Sequence, residues 1–130
     1  MRNGHGYRLG DLQLEIMKLL WKHGTSRVAD IREALGSARF AYTTIATMLR
    51  KMEARGLVRH RDEGRVFHYE PAVTSEEVTR STTADLVNRV FEGSLADAVS
   101  HLLDIREVGF EELDRLEQLI HERKSRQAPE

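Results

Sequence analysis

Ala41-Tyr42-Thr43-Thr44-Ile45-Ala46-Thr47-Met48-Leu49-Arg50-Lys51-Met52-Glu53-Ala54-Arg55-Gly56 is the stretch whose reading decides the fold. At 100° per residue, Ile45, Met48, Leu49 and Met52 share one face of a helix running from about Ala41 to Arg55. Gly56 can adopt the left-handed conformation that closes it. Thr43, Thr47, Arg50 and Ala54 lie opposite the apolar stripe, with Ala46 and Lys51 at the flanks. No carboxylate occurs from Arg39 through Met52. Hydroxyls, small side chains and cations suit the DNA major groove: hydroxyls contact base edges or phosphates, methyls meet thymine methyls, and Arg binds guanine or phosphate.

Upstream, Gly36-Ser37-Ala38-Arg39 breaks the helical pattern. Before it, Thr25 or Ser26 can cap a short helix whose inner face carries Val28, Ile31 and Leu35. Asp11 is the expected N-cap of a first helix, with Leu12, Ile16, Leu19 and Leu20 on one face and Gly24 as its stop. Downstream, Leu57-Val58-Arg59-His60-Arg61 and Arg65-Val66-Phe67-His68-Tyr69 surround a turn at Asp62-Glu63-Gly64. They read as a β-hairpin that must end at Pro71. Three helices and a hairpin in so short a stretch make a winged helix-turn-helix the economical arrangement. Arg61 and Arg65 then flank the wing turn, and Arg39 precedes the third helix, where cation and helix N-terminus can both face a phosphate. The expected DNA-binding set is Arg39, Tyr42, Thr43, Thr44, Thr47, Arg50, Lys51, Arg61 and Arg65.

The C-terminal half reads as three amphipathic helices. Thr74 and Glu77 have capping-box spacing and open a helix through about Phe91. Glu92-Gly93-Ser94 interrupts it, and helices from about Leu95 to Leu103 and Phe110 to Arg123 follow. Helices this short make a thin core alone. Interlocking with a second copy would cover their apolar faces, and a dimer matches two half-sites of a near-palindrome. Residues 75–124 are therefore expected to dimerise through Val87, Val90, Phe91, Leu95, Val99, Leu102, Leu113, Leu116 and Ile120. The competing expectation is that these helices fold back on their own winged-helix unit. The fold class is thus mainly α with a small β-hairpin, a winged helix-turn-helix domain over 1–73 and a helical dimerisation domain over 74–130.

Charge follows the same division. The 130 residues carry 20 Lys/Arg and 21 Asp/Glu, a net of -1. Residues 1–73 hold 13 basic and 8 acidic residues, or +5, and residues 74–130 hold 7 and 13, or −6. Near-neutrality is a cancellation between halves, the pattern of a chain with one nucleic-acid-facing part. The longest apolar runs are three residues, Leu19 to Trp21 and Phe40 to Tyr42, far short of the roughly 20 a membrane helix needs. Met1-Arg2-Asn3-Gly4-His5-Gly6 lacks the apolar core of a signal peptide, so a cytoplasmic location without membrane insertion is expected. The absence of cysteine excludes disulfides, thiol catalysis and thiolate metal sites.

Several ordered motifs resemble one family. Leu9-Gly10-Asp11-Leu12-Gln13-Leu14-Glu15-Ile16-Met17-Lys18-Leu19-Leu20-Trp21 is similar to its opening helix, and Ala41 to Leu49 to its recognition helix. Gly56-Leu57-Val58 and Gly64-Arg65-Val66-Phe67-His68-Tyr69-Glu70-Pro71 resemble its wing, and Phe91-Glu92-Gly93-Ser94 its helical junction. These are marks of the penicillinase-repressor family (BlaI/MecI, with the copper-responsive CopY branch), and the similarity extends over about residues 8–122. The resemblance implies a homodimeric repressor that covers a palindromic operator. In the β-lactam branch it implies release by proteolysis in the C-terminal segment, signalled by a membrane sensor metalloprotease or its effector. The best-known members are cut at an Asn-Phe bond; this chain has none and reads Phe91-Glu92-Gly93-Ser94-Leu95-Ala96 there. The copper branch uses C-terminal cysteines, which are absent here.

Other function classes leave weaker traces. Ser94, Asp97 and His101 can be drawn as a triad, but no nucleophile elbow surrounds Ser94, and Asp97 and His101 are an ordinary i,i+4 helical pair. No phosphate-cradling glycine loop or His-Glu-x-x-His is present. His60 and His68 can face each other across the hairpin, yet a metal needs three or four ligands in fixed geometry and no spacing announces them. No catalytic residue, metal or cofactor is expected. A winged-helix protein-interaction module and a histidine-based metal-responsive regulator are the alternatives to a DNA-binding repressor.

Overall fold

In a computed structural model, which describes residues 7–128, the order of elements is α1 (Asp11–His23), β1 (Ser26–Arg27), α2 (Val28–Leu35), α3 (Tyr42–Ala54), β2 (Val58–Glu63), β3 (Val66–Pro71), α4 (Ser75–Val90), α5 (Leu95–Asp104) and α6 (Phe110–Gln127). The fold is mainly helical with a winged helix-turn-helix at its N-terminal end. The stretch Met1 to Gly6 read above for export lies outside the described residues.

Apolar spacing builds the first unit. Ile16, Met17 and Leu20 of α1, Ile31 of α2, and Ile45, Leu49 and Met52 of α3 are all but inaccessible, and Leu57, Val58 and Tyr69 close the core from the sheet side. Met48 is only partly buried at the edge of this stripe. The turn after α3 explains why the chain reverses there. Gly56, at φ 81°, donates its N–H to the Glu53 carbonyl, and Leu57 N–H reaches the Met52 carbonyl at 3.0 Å. That is the paired bonding of a Schellman closure, with Leu57 and Met52 supplying its apolar contact.

Three details of the sequence reading change. Gly10 rather than Asp11 is the N-cap of α1, with its N–H bonded to Gln13 Oε1, and Asp11 is the first helical residue. Neither Thr25 nor Ser26 caps α2. Ser26 and Arg27 instead form β1, which pairs antiparallel with β3, so the hairpin becomes a three-stranded sheet of order β1-β3-β2. Arg27 is the N-cap residue, and its N–H is taken by the Asp30 carboxylate. The strands run further than expected: β2 reaches Glu63, β3 begins at Val66, and Gly64-Arg65 alone forms the turn. Pro71 is the final strand residue, paired with Val58, a position where its missing N–H is tolerated.

The chain divides into two compact units within α4, one running to Leu86 and one from Val87. The first turns of α4 belong to the first unit. Val78 is buried, Ser81 Oγ accepts from Tyr7 N–H at 2.8 Å, and Trp21 Nε1 donates to the Val73 carbonyl at 2.9 Å. Thr74 and Glu77 form the anticipated reciprocal capping box at 3.0 and 3.2 Å. In the second unit, Ser94 Oγ caps α5 by accepting from Asp97 N–H. Glu92, at φ 51°, is the non-glycine residue held left-handed between α4 and α5. No helix of the described residues is long and apolar enough to cross a membrane.

Candidate nucleic-acid interface

Burial of Ile45, Leu49 and Met52 fixes how α3 is rolled. The consequence is that Thr43, Thr47, Arg50 and Ala54 all face solvent, as do Tyr42, Thr44 and Lys51. Arg50 Nη2 donates to Thr47 Oγ1 at 3.1 Å, so a guanidinium and a hydroxyl are held together on the exposed face. The helix opens without a side-chain cap at Ala41, which leaves the first amides of α3 for another acceptor.

The remaining expected cations behave differently from one another. Arg65 lies exposed in the two-residue turn of the wing. Arg61 is not at the tip: it lies within β2, with Nε 3.3 Å from Glu70 Oε1 and Nη2 3.4 Å from Thr25 Oγ1. Arg59 donates to the other Glu70 oxygen at 2.6 Å. Bonding to Arg59, helped by the Arg61 charge, holds the Glu70 carboxyl below the usual carboxylate range. Arg39 is turned inward upon the helix-turn-helix. Its Nη1 donates to Glu15 Oε2 at 3.2 Å and to the Leu35 carbonyl at 3.1 Å, and its guanidinium lies 5.1 Å from the Phe40 ring centroid.

Strand register separates the two wing histidines. His60 pairs with Tyr69, whereas His68 pairs with Arg61. Residues one apart along a ladder point to opposite faces, so His60 and His68 do not face each other. His60 lies on the face toward α3, where Nδ1 is 2.7 Å from Glu53 Oε1 and its ring stacks on Phe67 at 4.2 Å. His68 lies 3.5 Å from Glu63 on the other face. Among the described residues no three His, Asp or Glu side chains converge as a metal site. The drawn triad does not assemble either, because the Ser94 hydroxyl is committed to its cap and His101 Nδ1 meets the Asp97 backbone carbonyl at 2.9 Å.

Sequence reasoning passed over Glu53 and Phe67, and set His60 against His68 rather than against Glu53. The only available signal was Glu53 as the first carboxylate after the acid-free stretch; its partner seven residues on depends on the α3–β2 reversal.

In the second unit the apolar residues expected at a dimer interface are largely uncovered. Val90, Leu95, Leu102 and Ile120 are more than half exposed, Phe91, Val99, Leu113 and Leu116 are half-buried, and α6 buries none of its residues. Ile105 and Phe110, outside the expected set, are 72% and 86% exposed.

Known proteins share this arrangement. The penicillinase repressor of Bacillus licheniformis is 31% identical over 120 residues, covering 92% of this chain and 94% of that protein. The transcriptional regulator BlaI of Mycobacterium tuberculosis is 30% identical over 118 residues, covering 88% and 84%. The solution structure of the DNA-binding domain of the repressor BlaI superposes with a TM-score of 0.50 at 31% identity, covering 59% of this chain and 93% of that one. Residues 9–122 match the family described as penicillinase repressor, so the chain belongs to the penicillinase repressor family.

Proposed function

We propose that this chain is a sequence-specific transcriptional repressor that binds a palindromic operator as a homodimer, through helix 41–55 and the wing 57–70. The observation that carries this reading is the outward line of Thr43, Thr47 and Arg50 on a core-locked helix that holds no carboxylate before Glu53 in its last turn. Hydroxyls and a guanidinium can read base edges there without a carboxylate to repel phosphate. Family membership independently supports a DNA-binding repressor. The uncovered apolar residues from Val90 to Ile120 support a second copy as partner, since an 18-residue amphipathic helix with nothing buried gains most of its stability from packing. Such a repressor works in the cytoplasm. A membrane sensor metalloprotease or its effector would reach it at the exposed Glu92-Gly93 connection.

The test is selection of bound fragments from the source genome, followed by affinity measurement across salt. A repressor recovers a near-palindrome, and its affinity falls steeply as salt rises because phosphate contacts release counterions. Failure to bind any fragment at low salt sinks the reading and favours a protein-interaction module.

A further inference from the structure

The junction of α3 and the wing holds a carboxylate–imidazole pair that the interface above does not use. Glu53 stands in the last turn of α3, where both the helix dipole and an approaching phosphate disfavour a carboxylate. It is nonetheless fully engaged: His60 Nδ1 lies 2.7 and 2.8 Å from its two oxygens, and His60 backbone N–H donates to Oε2 at 3.3 Å. An ionised carboxylate only accepts, so Nδ1 carries a proton. Nε2 is the ring's remaining polar atom and makes no hydrogen bond among the described residues. Two rings of β3 hold the imidazole, Phe67 stacked on it at 4.2 Å and 23° and Tyr69 tilted toward it at 5.7 Å. A third of the His60 side chain remains exposed.

We propose that Glu53 and His60 form a proton-linked phosphate contact: Glu53 orients the imidazole through Nδ1, and a DNA backbone phosphate accepts from Nε2–H of the imidazolium. This rests on the DNA-binding reading above. The neutral ring offers Nε2 as an acceptor and repels a phosphate; the charged ring offers a donor. The groups facing the ring are Glu53 from α3, Asp62 two residues on along the same face of β2, and Phe67 and Tyr69 from β3. Arg50 of α3 is near enough to act on Tyr69, as Glu53 does. A phosphate at Nε2 adds a further anion beside the ring and selects its charged form. Binding therefore takes up a proton from solvent, and acid strengthens it.

A phosphate contact reads no base, so a fluorescently labelled random-sequence duplex serves as probe for the full chain. Its affinity is measured at constant salt between about pH 8 and about pH 6, where imidazoles titrate. The wild type is expected to bind more tightly at the acid end, by up to about tenfold per pH unit for one linked proton. His60→Gln, whose amide can still donate to Glu53, should lose that gain. His60→Arg should bind equally at both ends. At the acid end the salt slope of the wild type should exceed that of His60→Gln by about 0.9, one phosphate's worth. Thermal unfolding of each variant shows that it is folded, and the Arg variant carries the test if the Gln variant is not. A His60→Gln protein that keeps the wild-type acid gain overturns the proposal, as does pH-independent binding by the wild type. No DNA binding at low salt at either pH would instead remove the DNA-binding reading itself, and this contact with it.

Discussion

Arg39→Ala separates two roles for a cation placed just ahead of a recognition helix. As a phosphate contact, Arg39 would act on DNA directly; as placed here, it acts on the turn between α2 and α3. Its stem crosses Gly36 so closely that a Cβ there would meet Arg39 Cδ at 3.2 Å, and Gly36 itself sits at φ 107°. The ion pair to Glu15 is about half exposed on both sides, so it contributes at most about 1 kcal/mol. The hydrogen bond to the Leu35 carbonyl adds about 1 kcal/mol, and the guanidinium beside Phe40 about 0.5 kcal/mol. Because one side chain makes all three, the sum is an upper figure, and a loss of about 2 kcal/mol is expected. For a unit of this size that lowers Tm by roughly 10 °C.

Thermal unfolding at fixed protein concentration measures the stability term, and salt-dependent binding measures the contact. The expected result is a clear loss of stability, weaker binding, and an unchanged slope of log K against log salt. Glu15→Gln combined with Arg39→Ala should show coupling of about 0.5 kcal/mol in unfolding. A slope reduced by about 0.9 with Tm unchanged would refute the reasoning and return Arg39 to the phosphate-binding set.

Arg50→Ala should relax sequence preference if Arg50 reads a base, whereas Arg65→Ala should weaken all sequences alike and reduce the salt slope by about 0.9; competition between selected and random duplexes distinguishes them. Leu102→Glu or Ile120→Glu should shift the chain toward monomer in sedimentation experiments while leaving circular dichroism of the first unit's helices in place, because both side chains are more than half exposed in one copy. Glu92→Gly should stabilise the α4–α5 junction by about 1 kcal/mol, since it relieves a left-handed non-glycine residue at φ 51°. Burial raises the Tyr69 phenol above its ordinary range; the folded state therefore holds that proton more tightly, and its stabilisation is lost as pH rises through the unfolded and then the folded value, above about pH 10. Tyr69→Phe should remove this alkaline loss in urea titrations.

Much local chemistry was readable from residue types, the N-caps of α1 and α2 excepted, and anything decided by register was not. Gly24 and Gly56 stop their helices and Thr74-Glu77 opens one, because caps are completed within a few residues. The apolar stripe of α3 was legible for the same reason, as a 3.6-residue period. Two residues cannot show a period, so Ser26-Arg27 gave no sign of being a strand until β3 paired with it. The wing histidines have suitable types and spacing, but a ladder offset by one residue puts them on opposite faces. Phe67 reads only as part of the second hairpin run, and its ring stacks on that of His60.

Charge shows why the interface is defined more by missing acids than by abundant bases. Counted along the sequence, residues 1–73 hold +5, which suggests cations spread over helix, loop and wing. Folding assigns much of that charge internally: Arg27 to Asp30, Arg39 to Glu15, and Arg59 and Arg61 to Glu70. Arg50, Lys51 and Arg65 form no ion pair among the described residues. Two of these belong to the acid-free stretch, whose nearest carboxylate, Glu53, is bonded to His60, and the third sits in the two-residue turn of the wing. A cation beside an uncommitted acid is drawn into the fold; one whose neighbouring acid is engaged elsewhere, as Glu53 is by His60 and Glu63 by His68, keeps its field for a ligand. The empty run from Arg39 through Met52 therefore points to the proposed reading surface better than any positive residue within it.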